Sequence, residues 1–142
     1  MPYYSLALRT TASQTTRACL ELRADPLIDT ILREIGVTLV AATASVFGLG
    51  RPQANGITPG APVALIPHEP GGGLSKAVAA LSWGTGPTVP GQFIRRVSLP
   101  ATIGATIVWR FEKGLVIPKA QSLVVWNITA VSLADVWVMI DE

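Results

Sequence analysis

Histidine is the commonest general acid or base in enzymes, and this chain contains one, His68. It sits in Ile66-Pro67-His68-Glu69-Pro70, a loop stiffened by proline on both sides. That setting predicts a surface or hydrogen-bonded loop histidine rather than a catalytic base. One cysteine, Cys19, lies far from it in sequence, so no zinc-ligand spacing arises. No H-E-x-x-H, C-x-x-C or acidic calcium loop is present.

Nucleophilic and phosphate-binding signatures are missing as well. There is no G-x-S-x-G elbow. Gly71-Gly72-Gly73-Leu74-Ser75-Lys76 lacks the spacing of a P-loop, and Gly48-Leu49-Gly50 lacks the third glycine of a dinucleotide fingerprint. Both glycine runs read as turns. The carboxylates are too scattered to suggest a glycosidase pair. Asn127-Ile128-Thr129 matches a glycosylation sequon but falls inside a predicted strand, which makes it incidental. The expectation is a protein that is not an enzyme and carries no cofactor or metal. Its single cysteine cannot form an intramolecular disulfide, and Cys19 reads as a small buried hydrophobe.

Aromatic side chains remain as candidates for contact with a partner. Trp109, Trp126 and Trp137 fall in predicted strands, where packing in the core or between subunits is expected. Trp83, in Ser82-Trp83-Gly84-Thr85-Gly86-Pro87, falls in a predicted loop and is the best single candidate for a ligand or partner contact. Tyr3, Tyr4 and Trp137 complete the set of candidate partner contacts.

The elements that must position these residues read as strands. Short runs rich in Val, Ile, Thr and Trp are separated by Gly, Pro and Asn. Tyr3–Thr10 is the first, with residues 1–14 forming an N-terminal arm or an edge strand. In Thr15–Arg23, Ala18, Leu20 and Leu22 alternate with Arg17, Cys19, Glu21 and Arg23, the period-two pattern of a half-buried strand. Asp25–Gly36 is ambiguous: Asp25-Pro26 could open a helix that Gly36 ends, but Ile31, Ile35 and Val37 also fit strand alternation. A strand over about Thr30 to Leu39 is favoured, followed by one over about Ala42–Leu49. Gly50–Gly73 is crowded with turn residues, and only Val63–Ile66 looks like a strand there. Phe93–Leu99, Ala105–Phe111, Ser122–Thr129 and Val136–Ile140 follow, linked by turn-like segments at Pro100–Gly104 and Glu112–Lys119. In Val136–Ile140 both alternating faces are apolar, which predicts burial on both sides. Eight or nine short strands with long Gly/Pro-rich loops and no secure helix predict a single all-β domain over residues 1–142, a β-sandwich of jelly-roll type.

Composition narrows the function classes. Apolar residues make up 49 % of the chain and charged residues 14 %, against roughly 25 % charged in an average domain. From Ile35 to Ile94 the only charged residues are Arg51, Glu69 and Lys76. Some surface must therefore be apolar or weakly polar, and large exposed apolar patches mark interfaces or membranes. The apolar run Ile35–Gly50 is shorter than the roughly 20 residues of a spanning helix and is broken by Thr, Ser and Gly, so no membrane partner is expected. A net charge of +2 with one adjacent basic pair, Arg95-Arg96, gives no footprint for nucleic acid. The first residues show no secretory signal, and synthesis in a reducing cytoplasm is expected.

The stretch Arg95–Glu142 carries a resemblance. Gly114-Leu115-Val116-Ile117-Pro118, Ser122-Leu123-Val124-Val125-Trp126-Asn127 and Asp135-Val136-Trp137-Val138, with Leu32-Arg33-Glu34-Ile35-Gly36-Val37 and Leu49-Gly50-Arg51-Pro52 upstream, resemble the jelly-roll capsid decoration (cement) proteins of tailed bacteriophages. The resemblance implies a homotrimer on the outer surface of the capsid, made in the host cytoplasm, that stabilises the head by bridging major capsid subunits. It carries over no individual functional residue. The alternative is another virion component, a head-fibre or tail knob that binds host carbohydrate through an exposed Trp83.

Overall fold

A computed structural model describes residues 2–10, 17–129 and 133–142. Thirteen strands lie among them: β1 Tyr3–Arg9, β2 Arg17–Arg23, β3 Thr30–Leu39, β4 Ser45–Gly50, β5 Ile57–Gly60, β6 Val63–Ala64, β7 Ile66–Pro67, β8 Val78–Ala80, β9 Ser82–Thr85, β10 Phe93–Leu99, β11 Thr106–Ile117, β12 Ser122–Thr129 and β13 Ala134–Asp141. The described residues contain no helix, so none is long and apolar enough to cross a membrane; a strand-built span is a separate matter.

The eight long strands are nested. The first pairs with the last, β1 with β13, and then β2 pairs with β12, β3 with β11 and β4 with β10, all antiparallel. Lateral pairing of β13 with β3 and of β12 with β4 completes two sheets. One runs β11-β3-β13-β1-β7, the other β10-β4-β12-β2-β8-β6. A long hairpin rolled up in this way is a jelly roll, and the expected all-β sandwich is the fold observed.

Residues 51–92, between β4 and β10, carry the five short strands. β7 extends one sheet beside β1, while β8 and β6 extend the other beside β2. β5 and β9 form a separate ribbon. Within Gly50–Gly73, where the turn residues suggest only Val63–Ile66, the described strands are β5, β6 and β7. The segment also makes β1 an internal strand of its sheet, between β13 and β7, rather than an arm or an edge strand, while residues 1 and 11–14 of that expectation lie outside the described residues.

The core lies between the sheets and includes Leu20, Leu22, Leu32, Ile35, Val37, Phe47, Leu49, Leu123, Val125, Val136, Val138 and Ile140, each 2 % exposed or less. Burying a side chain of this size stabilises the fold by about 1.5–3 kcal/mol. A second cluster, Ala18, Val124 and Trp126 with Trp83, Phe93 and Ile128 packed against it, lies on the other face of β12. The 51–92 segment thus supplies cover for the back of the six-stranded sheet.

Bulges account for several departures from the sequence pattern. The β2–β12 register shifts between Val125 and Trp126, opposite Leu20 and Ala18, so Cys19 is the extra residue. Cys19 and Leu20 then both enter the main core, while Ala18 turns to the second cluster. Ala18 does not share a face with Leu20 and Leu22 as strict alternation requires. β11 likewise continues through a register shift between Arg110 and Leu115, with Gly114 at φ +77°. Glu112–Lys119 is therefore mostly strand rather than turn. Gly48-Leu49-Gly50 also belongs to a strand, β4, because Phe93 lies against Gly48 and Pro90 against Gly50, where any Cβ would collide.

Candidate interaction surface

The registers define the outer face of the β11-β3-β13-β1-β7 sheet row by row. Val136, Val138 and Ile140 of β13 point into the core, so Asp135, Trp137, Met139 and Asp141 point outward. Beside them on β1 stand Arg9, Ala7, Ser5 and Tyr3. On β3, Thr38, Gly36 and Glu34 oppose Asp135, Trp137 and Met139. Thr106, Val108 and Arg110 of β11 extend the same rows.

One row is apolar across four strands: Ala7, Trp137, Gly36 and Val108. The indole of Trp137 lies over Gly36, occupying the space a Cβ would need there. Trp137 is half-buried by this contact, and Met139 is half-buried too. Val136–Ile140 is thus buried on its core face only, and its outer apolar face, expected to be buried as well, remains accessible in the single chain.

Ion pairs flank the apolar row. On one side Arg9 grips Asp135 with two bonds, Nε to Oδ1 at 2.9 Å and Nη2 to Oδ2 at 3.2 Å, next to the Thr38–Thr106 hydroxyl pair at 3.0 Å. The guanidinium hydrogen bonds hold the Asp135 carboxyl below the usual carboxylate range and push the Arg9 guanidinium up. On the other side Arg110 Nε donates to Glu34 Oε1 at 2.6 Å. Further along, Arg33 Nε donates to Asp141 Oδ2 at 2.6 Å, and Asp141 is fully buried.

Tyr3 lies at the end of this face, 44 % exposed. His68 sits beside it, the ring centroids 6.2 Å apart, with its Nε2 2.5 Å from Ser5 Oγ and its backbone N–H donated to Tyr3 O at 2.9 Å. His68 is the exposed, hydrogen-bonded loop histidine that its sequence setting predicts. Ile66, Val108 and Val116 are exposed here as well.

The four aromatic candidates do not form one site. Tyr3 and Trp137 share the outer face just described. Tyr4 points the other way and packs against the core. Trp83 lies behind the opposite sheet, in strand β9 rather than a loop. Its ring rests against Gly56, and its Nε1–H is donated to Glu21 Oε1 at 3.0 Å.

Glu21 was legible only as one polar residue of an alternating strand, yet it is 1 % exposed. Its carboxylate accepts from Arg23 Nη2 at 2.8 Å, Trp83 Nε1, Gly56 N at 3.0 Å and Ser122 Oγ at 2.8 Å. Arg23 Nη2 also donates to Gly56 O at 2.6 Å. A buried carboxylate needs this degree of pairing, and its donors come from β2, β12 and the 51–92 segment. It is a pin that fastens that segment to the sheet. Among the described residues no three His, Cys, Asp or Glu side chains group closely enough to hold a metal ion.

No family model matches the chain, and no curated protein does. Among solved structures, the coat protein of Tobacco streak virus is similar at 13 % identity over 98 % of this chain and 86 % of that chain, with a TM-score of 0.31.

Proposed function

We propose that the chain is a structural protein of a virus particle, and specifically a capsid decoration protein that acts as a homotrimer bridging major capsid subunits. The observation that carries this reading is the accessible outer face of the β11-β3-β13-β1-β7 sheet. In its apolar row of Ala7, Trp137, Gly36 and Val108 the indole fills the place of a missing Cβ. An apolar strip between ion pairs suits contact with another protein surface: the strip supplies burial and the Arg9–Asp135 and Arg110–Glu34 pairs set the register at its rim.

The low charge of the chain supports the same reading, as does the jelly roll, an architecture common in capsid proteins. Such a protein is not an enzyme. It works by contact area, multiplied by symmetry, so that modest affinities at each subunit add up to firm attachment. Loops rich in proline lose less freedom when they dock. Neither a membrane nor a nucleic acid is a partner in this reading. Trp83, the residue on which a carbohydrate-binding knob would rest, is partly buried and donates its indole N–H to Glu21.

The test is co-sedimentation of the purified chain with capsid shells that lack it. Binding that saturates at a fixed ratio to the capsid subunit, and that weakens in Trp137→Ala, is the expected result. No co-sedimentation with any shell of its own virus would overturn the proposal.

A further inference from the structure

Where β4 leaves the six-stranded sheet, residues 51–55 run beside the β11–β12 corner and the residues that lead into β10. Two adjoining hollows open there on either side of Arg51. One, of about 350 Å³, is lined by Arg51, Pro52, Gln53, Asn55 and Gln121 among others. The second, of about 760 Å³, is lined by Arg51, Gly91, Gln92, Ile94 and Leu115. Gln53 joins them, since its Nε2 lies 3.5 Å from where a Cβ on Gly91 would be.

Hydrogen bonds hold several residues around the hollows of this cleft in place. Arg51 Nη2 donates to Val116 O at 2.9 Å, which anchors the guanidinium across the gap between the two sheets. Asn55 Nδ2 donates to Ala120 O at 2.8 Å. The backbone of Ala54 is fixed by bonds to Thr88, from its N–H to Oγ1 at 2.7 Å and to its O from Thr88 N at 3.1 Å. Proline at position 52 restricts the chain further.

Its chemistry is selective. The lining carries four carboxamides, Gln53, Asn55, Gln92 and Gln121, one guanidinium and no carboxylate. A carboxamide both donates and accepts, as a sugar hydroxyl does. A guanidinium presents a fork that matches a carboxylate. Ile94, Leu115 and Pro52 supply apolar wall for the C–H faces of sugar rings. We propose that this cleft binds an acidic oligosaccharide, with Arg51 paired to a sugar carboxylate and the four carboxamides bonded to hydroxyls on either side. Hydrolysis of a glycosidic bond needs paired carboxyl groups, and the lining has none, so the cleft holds the glycan without cleaving it. This inference does not depend on attachment to a capsid.

The experiment is binding of the full chain to an array of uronic-acid and sialic-acid oligosaccharides beside neutral oligosaccharides of matched length, with polyglutamate as a peptide control. The expected result is a signal confined to the acidic glycans, weakened by salt, and reduced tenfold or more in Arg51→Gln. Because Arg51 also anchors Val116, the double variant Gln53→Ala/Gln92→Ala is measured alongside, each variant having first been shown to melt as a folded protein. It should lose binding while keeping Arg51 in place. No glycan signal, a signal unchanged in both variants, or equal binding to polyglutamate would each overturn the inference, the last by assigning the cleft to an acidic protein segment.

Discussion

The indole of Trp137 sits over Gly36 of the neighbouring strand, in the space a side chain at that position would fill. A glycine inside a strand normally weakens it. Here it leaves room on the sheet for the aromatic ring of a neighbouring strand.

Gly36→Ala tests that arrangement. Its backbone does not adopt a positive φ, so the added methyl acts only by displacing the ring. Overpacking of this kind costs about 1–3 kcal/mol. A urea titration should show the midpoint fall by a corresponding amount. A variant as stable as the parent would mean that the indole has another equally good seat.

Trp137→Ala separates folding from attachment. The residue is on the outer face and the core beneath it, Val136, Val138 and Ile140, is untouched. The variant should keep a cooperative thermal transition and lose roughly 2 kcal/mol of shell binding, the loss typical of an interface hot spot. Unchanged affinity would place the contact surface elsewhere.

Light scattering after gel filtration reads the oligomer directly. Three copies of the 14.9 kDa chain are expected. A stable monomer would contradict the proposed homotrimer and leave the apolar row to be covered only on the shell.

Glu21→Ala should loosen the 51–92 segment. It strands the Trp83 and Gly56 N–H groups, the Ser122 hydroxyl and the Arg23 guanidinium without their shared acceptor. Removing one partner of a buried pair costs about 3–5 kcal/mol. Limited proteolysis should cut first between residues 51 and 92. Cleavage elsewhere at the parent rate would show that the segment is fastened by other means.

Asp135 gives a pH dependence of known sign. Its carboxyl titrates lower in the folded chain than unfolded because Arg9 donates to the charged form. That contribution is fully present above the unfolded value of about 3.9 and disappears as pH falls through the lower folded value. The pair is largely exposed, with side chains 64 % and 43 % accessible, so the effect is small and screened by salt. The melting-temperature gap between the parent and Asp135→Asn should narrow from pH 7 towards pH 2. A gap that is constant with pH would show that the pair adds no pH-linked stability.

Several of the long strands were legible in the sequence. Thr30–Leu39, Phe93–Leu99 and Ser122–Thr129 run where their Val, Ile and Thr content puts them. Alternation failed at the bulges, because an extra residue such as Cys19 reverses the facing of everything before it, and nothing local marks it. The burial of Glu21 was invisible for a different reason: its donors lie up to 101 positions away. The outer-face strip was half legible. Trp137 stood out by type, but its seat on Gly36 depends on a register that pairs residues a hundred positions apart, and only a glycine set among β-branched neighbours hinted at it.

The nested pairing has a consequence for how the chain reaches its fold. Tyr3 meets Asp141 and Arg9 meets Asp135, so β1 waits for β13, more than a hundred residues further along the chain. Contacts this distant in sequence place the chain among slow folders, in the millisecond to second range. Until β13 arrives, β1 and β3 both present open edges, and a ribosome-bound or prematurely stopped chain offers two strands to any neighbour. Closure by β13 joins the edges and presents Trp137 in the same step. The surface proposed for assembly therefore comes into being only when the sheet that carries it is complete, and a chain that lacks β13 has no such surface to offer.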